Sequence, residues 1–295
     1  MQIPKRHSRS EILMLRGLRM HVRHWGTQGA TKLFMLHGWM DVSASFQFVV
    51  DCLQRDWHVI APDWRGFGLS ERTREDCYWF PDYLGDLDAL LDHFAKDEAV
   101  NLLGHSMGGN VATIYAGVRP QRIAKLINLE GFGLSNTVPA QAPGRYAQWL
   151  DELREKPTMR GYASRDEVID RLRKNNPRLS AERAGFLAQH WAAQEGNGQW
   201  RILGDPAHKI ISANLYHTDE VLACWKNISA PVLWVEAEHT DMWRWMGPKE
   251  QVRAEIDRRM AVIPDVQPAF IRDAGHMLHH DQPGELAALI EDFLR

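Results

Sequence analysis

Cysteine is scarce in this sequence and poorly placed for cross-linking: Cys52, Cys77 and Cys224 are odd in number, widely spaced and form no C-x-x-C pair. That argues against both a disulfide framework and a zinc site. An excess of positive charge is missing as well. With 35 Lys plus Arg against 38 Asp plus Glu and a net charge of -3, the composition does not suit a phosphate backbone, and no nucleic-acid partner is expected. The longest apolar runs, Val221 to Trp225 and Leu286 to Ile290, fall far short of the roughly 20 residues that cross a bilayer, so no membrane partner is expected either. The basic start, Met1 to Ser10, leads into a stretch broken by Glu11, Arg16 and Arg19. It lacks the apolar centre of a signal peptide, and the expected location is cytoplasmic. Repeats and low-complexity tracts are absent, and the 44% hydrophobic content of 295 residues is enough for a substantial core.

What is present is an alternation of short apolar runs and amphipathic stretches. Ile12 to Leu15 and Met20 to Trp25 read as two strands around an Arg16-Gly17 turn. Lys32 to Leu36, His58 to Ala61, Val100 to Leu103 and Ile123 to Leu129 read as buried strands, separated by helical spacing over Ser43 to Leu53, Pro81 to Phe94 and Met107 to Val118. Strand and helix in alternation imply a mostly parallel sheet flanked by helices, an α/β fold. From Gly133 to Asn227 the texture changes: Pro139, Pro143, Pro157 and Pro177 punctuate helical stretches at Tyr146 to Glu155 and Ala181 to Gln194, with no convincing strand. The rhythm resumes at Pro231 to Glu236 and runs through a helix over Lys249 to Ala261, a strand over Pro268 to Arg272 and a closing helix over Pro283 to Leu294. The expected organisation is a core of residues 1–132 and 228–295, with a helical cap over 133–227 inserted after the sixth strand.

The strongest chemical signal is Gly104-His105-Ser106-Met107-Gly108-Gly109, a G-x-S-x-G motif between a strand and a helix. The glycines allow a sharp, strained turn that lifts the Ser106 hydroxyl above the sheet. A serine hydroxyl is a weak nucleophile at neutral pH and needs an imidazole base held in one tautomer by a carboxylate. His276, in Asp273-Ala274-Gly275-His276 after the last strand, is the expected base. His279 and His280 are rivals, and a metal reading of them lacks a third ligand at characteristic spacing, so no metal is expected. For the acid, Asp241 in the loop after Val235 is the first choice and Glu130, directly after Leu129, the alternative. Oxyanion donors are expected from the backbone N–H groups of Met107 and of Trp39 in His37-Gly38-Trp39-Met40-Asp41. Tryptophan is abundant, 12 against 6 tyrosines. Trp243 and Trp245, on a loop at the catalytic end of the sheet, are the candidate substrate-binding residues.

HGWMD at 37–41, DWRGFGLS at 63–70, GHSMGG at 104–109 and AGH at 274–276 stand in an order and spacing that resemble the α/β-hydrolase superfamily. Within it they most resemble the serine hydrolase-like proteins. The resemblance covers the chain apart from the cap. It implies the α/β-hydrolase fold, catalysis by Ser106, His276 and an acid, commonly after the strand that here ends near Val235, and no cofactor. The sequence departs from the pattern at that acid. The usual glycine of the loop is Ala237 and Asp241 stands late, while some relatives carry the acid where Glu130 stands. Serine at the elbow, where haloalkane dehalogenases and epoxide hydrolases of this fold use aspartate, favours acyl chemistry. The expected function is esterase-like cleavage of an uncharged, apolar or aromatic small-molecule ester by a monomer or homodimer. Carbon-carbon bond hydrolase, perhydrolase or ligand-receptor activity on the same scaffold is the alternative.

Overall fold

The computed structural model describes residues 3–295, leaving Met1 and Gln2 of the basic start outside it. Eight strands form one sheet: β1 (Arg9–Leu15), β2 (Leu18–Trp25), β3 (Thr31–Leu36), β4 (Trp57–Pro62), β5 (Val100–His105), β6 (Ile123–Leu129), β10 (Val232–His239) and β11 (Val266–Gly275). Their order is β1-β2-β4-β3-β5-β6-β10-β11. The β1–β2 and β2–β4 pairs are antiparallel, and from β4 to β11 every neighbouring pair is parallel. β4, with the sequence WHVIAP, is buried along its whole length, as expected of an interior strand in a sheet covered by helices on both faces.

The covering helices follow from the spacing of their apolar residues. On one face Leu87 and Leu90 of α2 (Pro81–Ala95), Val111 and Tyr115 of α3 (Met107–Val118) and Ile256 of α9 (Lys249–Met260) pack with Phe34, Leu102 and Leu126 of the sheet. On the other, Val49 of α1 (Gln47–Val50) and Leu286 and Ile290 of α11 (Pro283–Phe293) pack with Leu33, Leu103 and Ile127. Successive strand residues face opposite sides, so Leu102 and Leu103 enter different cores. The last elements on the sheet's carboxyl side are two one-turn helices, α8 (Trp243–Met246) and α10 (Leu278–Asp281).

The stretch between β6 and β10 departs from its expected all-helical character. It holds α4 (Ala142–Arg154), α5 (Arg165–Asn175), α6 (Ala181–Trp191) and α7 (Thr218–Trp225), but also β7 (Gly161–Tyr162), β8 (Ala192–Gln194) and β9 (Trp200–Ile202). These three form a small antiparallel sheet in the order β7-β9-β8. Strands of two or three residues are too short to show an alternating pattern, and β8 reads in the sequence as the end of α6. The expected boundary at 227 also moves. Leu222 and Trp225 of α7 belong to the main core, and a Cβ on Gly117 of α3 would stand 1.9 Å from the Cys224 carbonyl oxygen. α7 is therefore a core helix, and the inserted segment has its own core, where Val168, Leu187 and Trp191 meet Val42, Ala44 and Phe48.

Candidate active site

Ser106 joins β5 to α3 in a left-handed conformation, φ 52° and ψ -116°. Its neighbours explain how the chain tolerates this. A Cβ at Gly104 would stand 2.3 Å from the Gly108 carbonyl oxygen, and one at Gly108 would stand 2.3 Å from that of Leu36. Both contacts are with backbone, so glycine is required at each position for the strand and helix to close on one another. The Ser106 N–H donates to the Leu129 carbonyl at 2.8 Å, which ties the elbow to the end of β6.

That tie fixes which residue stands beside Ser106. β5 and β6 run in register with His105 beside Leu129, so the residue after Leu129 emerges next to Ser106. Glu130, 1% exposed, is that residue. His276 leaves the end of β11 and bridges the two: its Nε2 lies 2.9 Å from Ser106 Oγ and its Nδ1 3.2 Å from Glu130 Oε2. The carboxylate is saturated, with Oε1 accepting from the Ala237 N–H at 2.8 Å and Oε2 from the Thr240 hydroxyl at 2.5 Å. A buried carboxylate with this many donors is held in place and kept available to the imidazole. Glu130 itself has φ 57°, in a turn closed by Asn128, whose Oδ1 accepts from the Gly131 N–H at 2.8 Å.

Asp241, the first choice for the acid from sequence, stands elsewhere. Its Oδ2 pairs with Arg244 Nη1 at 2.9 Å, and its side chain is one-third exposed. The physical reason is the length of β10, which continues to His239 rather than ending near Glu236. Asp241 is carried outward into the loop before α8 while Glu130 fills the place beside the imidazole. Of the two tryptophans, Trp245 lies beside the site, its ring centroid 5.7 Å from that of His276. Trp243 instead stacks with the Arg244 guanidinium at 5.6 Å.

The loop after β3 lies against Ser106: a Cβ on Gly38 would stand 3.2 Å from Ser106 Cβ. His37 anchors that loop, with Nδ1–H donating to the Gly38 carbonyl at 2.8 Å and Nε2 accepting from the Trp64 N–H at 2.9 Å. This arrangement needs a neutral ring, and burial holds the His37 pKa below its ordinary value. Met107 is the first residue of α3, so its N–H is among the donors a helix leaves unpaired at its start and can face a developing oxyanion. Trp39 follows Gly38 with its indole exposed. The inserted segment closes over this loop through Trp191, whose Nε1–H donates to the Met40 carbonyl at 2.6 Å. It is latched again at DWRGFG, where His208 stacks between Phe67 and Tyr78 with centroids 3.7 and 3.5 Å away.

Three contributors escaped the sequence reading. Thr240 completes the contacts of Glu130, and its signal was its place one residue past an overlong strand. His105, inside the elbow motif, donates from Nε2 to the His276 carbonyl at 2.7 Å and so holds the loop of His276; burial keeps it well below the usual histidine range, hence neutral. Asp41 is brought to His279 and His280, a third group that spacing along the chain does not reveal.

The α/β hydrolase fold family model matches residues 32–283. The chain belongs to this family. A serine hydrolase-like protein from Danio rerio is 25% identical to this hydrolase over 92% of this chain and 83% of its own length. Among solved structures, the thioesterase domain from the curacin biosynthetic pathway superposes with a TM-score of 0.85 at 24% identity, covering 97% of this chain and 99% of that one. An esterase from Mycobacterium tuberculosis gives 0.71 at 20% identity over 97% and 92%. The likeness to these two structures is one of fold. Among the described residues no helix is long and apolar enough to cross a membrane.

Proposed function

We propose that this hydrolase cleaves carboxylic esters, or closely related acyl compounds, through an acyl-enzyme. Ser106 Oγ attacks the acyl carbonyl, His276 Nε2 takes its proton, and Glu130 holds Nδ1–H so that Nε2 is the free acceptor. The Met107 and Trp39 N–H groups meet the oxyanion. His276 then protonates the leaving alcohol, and water admitted to the same place releases the acid by the reverse sequence.

The observation that carries this reading is the unbroken chain Ser106–His276–Glu130, at 2.9 and 3.2 Å. The segment docked through Trp191 and His208 acts as the lid over the acyl site, and the Trp245 ring forms an apolar wall that favours uncharged acyl groups, because an unpaired charge buried there is costly. Labelling with a fluorophosphonate probe tests the reading. The folded wild type is expected to be labelled and Ser106→Ala not. An unlabelled wild type, or equal labelling of both, contradicts it.

A further inference from the structure

Behind the triad lies a second polar cluster that the proposed reaction does not use. His279 and His280 sit on α10, directly after the loop of His276, and Asp41 ends the loop that carries Gly38 and Trp39. All three are buried, at 0, 4 and 7% exposure, and one donor atom from each lies within 4.8 Å of the others. Both Nε2 atoms converge on the hydroxyl of Ser45, at 3.0 Å for His279 and 2.5 Å for His280. The Asp41 Oδ2 atom approaches His279 Nε2 to 3.7 Å, too far for a hydrogen bond.

The protein's own groups do not complete this cluster. A hydroxyl carries one proton and two lone pairs, and the Ser45 hydroxyl is already engaged with both imidazoles. Asp41 Oδ2 is buried without a hydrogen-bond partner, and so is the far nitrogen of the ring beside it, His279 Nδ1. An orphaned carboxylate oxygen in the interior costs a good deal. Two imidazole nitrogens and a carboxylate oxygen are also the donor set that binds borderline divalent cations, through bonds of about 2.0–2.2 Å. The nearby guanidinium of Arg183 donates to the His280 carbonyl.

We propose that Asp41, His279 and His280 bind one divalent transition-metal cation of the Zn2+ type, with Ser45 Oγ or a water as fourth ligand, and that occupancy inhibits the hydrolase. Tetrahedral bonds of that length set ligand atoms about 3.3 Å apart, so the cation draws Asp41 and α10 together. Asp41 moves the oxyanion loop, and α10 moves the base. The coupling runs through a row of tilted, touching rings: His276, His105, His279 and His280 follow one another at centroid spacings of 4.8, 4.3 and 4.2 Å. The binding half of the proposal is independent of the acyl reading, and the inhibition half rests on it.

Chelator-treated protein titrated with zinc chloride tests both. By calorimetry, wild type and Ser106→Ala are each expected to bind one zinc per chain, and Asp41→Asn and His280→Gln, checked for folding by circular dichroism, to bind about tenfold more weakly or worse. X-ray absorption at the zinc edge of the wild type should show two imidazoles at about 2.0–2.1 Å, which keeps the test decisive if the substituted proteins do not fold. Ester hydrolysis by the wild type should fall with occupancy and return with EDTA. Failure of the wild type to bind at micromolar free zinc, undiminished binding by the folded variants, or an all-oxygen shell overturns the site. Loss of binding in His276→Ala assigns the metal to the triad instead and overturns it equally. Binding at the site without loss of activity overturns the coupling.

Discussion

Replacing Glu130 by glutamine separates the two acids most sharply. In the native protein the carboxylate accepts at both oxygens: from Ala237 N–H on Oε1, and from Thr240 and His276 Nδ1 on Oε2. An amide has one acceptor oxygen and a donor NH2. If the NH2 faces His276, Nδ1 must become the acceptor, Nε2 keeps the proton and cannot take one from Ser106. If the oxygen faces His276, the NH2 meets the Ala237 N–H, donor against donor. The first arrangement costs about 10⁴ in kcat, or roughly 5.4 kcal/mol of transition-state stabilisation. The second leaves buried donors unpaired at about 1–3 kcal/mol of stability. Asp241→Asn, by contrast, loses a partly exposed pair with Arg244, a change of about 0–1 kcal/mol in stability with kcat near that of the wild type. Hydrolysis of a p-nitrophenyl ester, with thermal melting of each variant, is the assay. A folded Glu130→Gln with near-native kcat, or an inactive but folded Asp241→Asn, would refute the reasoning.

Gly108→Ala puts a methyl group 2.3 Å from the Leu36 carbonyl oxygen, and overpacking against backbone should cost at least about 1–3 kcal/mol, seen as a Tm lower by about 3 °C or more. Trp245→Ala removes the ring beside His276 and is expected to raise KM more than it lowers kcat, whereas Trp243→Ala, which loses a contact with Arg244, should alter KM less. Burial pushes the Asp63 pKa up, but hydrogen bonding and charge from His21, His37 and Leu69 N–H outweigh it and hold the group well below its ordinary value. Because the folded pKa is the depressed one, the stability it confers is present above the ordinary carboxylate range and lost as pH falls through about pH 4 and below. Asp63→Asn should therefore lower Tm at neutral pH and flatten its decline in acid, as read by melting curves across that range.

The core of this fold was legible wherever burial imposes a period. α3 and β6 begin and end where the spacing from Met107 to Val118 and Ile123 to Leu129 puts them, and the glycines of the elbow mark a turn that no other residue fits. The small sheet of β7, β8 and β9 was not, because pairing over two or three residues is decided by tertiary contact rather than by pattern. The choice of acid turned on two facts of register: the pairing of His105 with Leu129 and the continuation of β10 to His239. Glu130, a charged residue at the end of a buried strand, was visible as a candidate, but its three donors come from β10, the loop after it and the turn after β11. The meeting of Asp41 with His279 and His280 spans more than 200 residues of chain and had no local signature.

The central claim is that Ser106 forms a covalent acyl intermediate. Intact-mass spectrometry during the first turnovers of a p-nitrophenyl ester tests it most directly, with peptide mapping of the adduct. The account predicts a transient mass increase equal to the acyl group, mapped to Ser106, accumulating in step with a burst of nitrophenol and absent from Ser106→Ala. Turnover that persists in folded Ser106→Ala, or an adduct mapped to another residue, would contradict it.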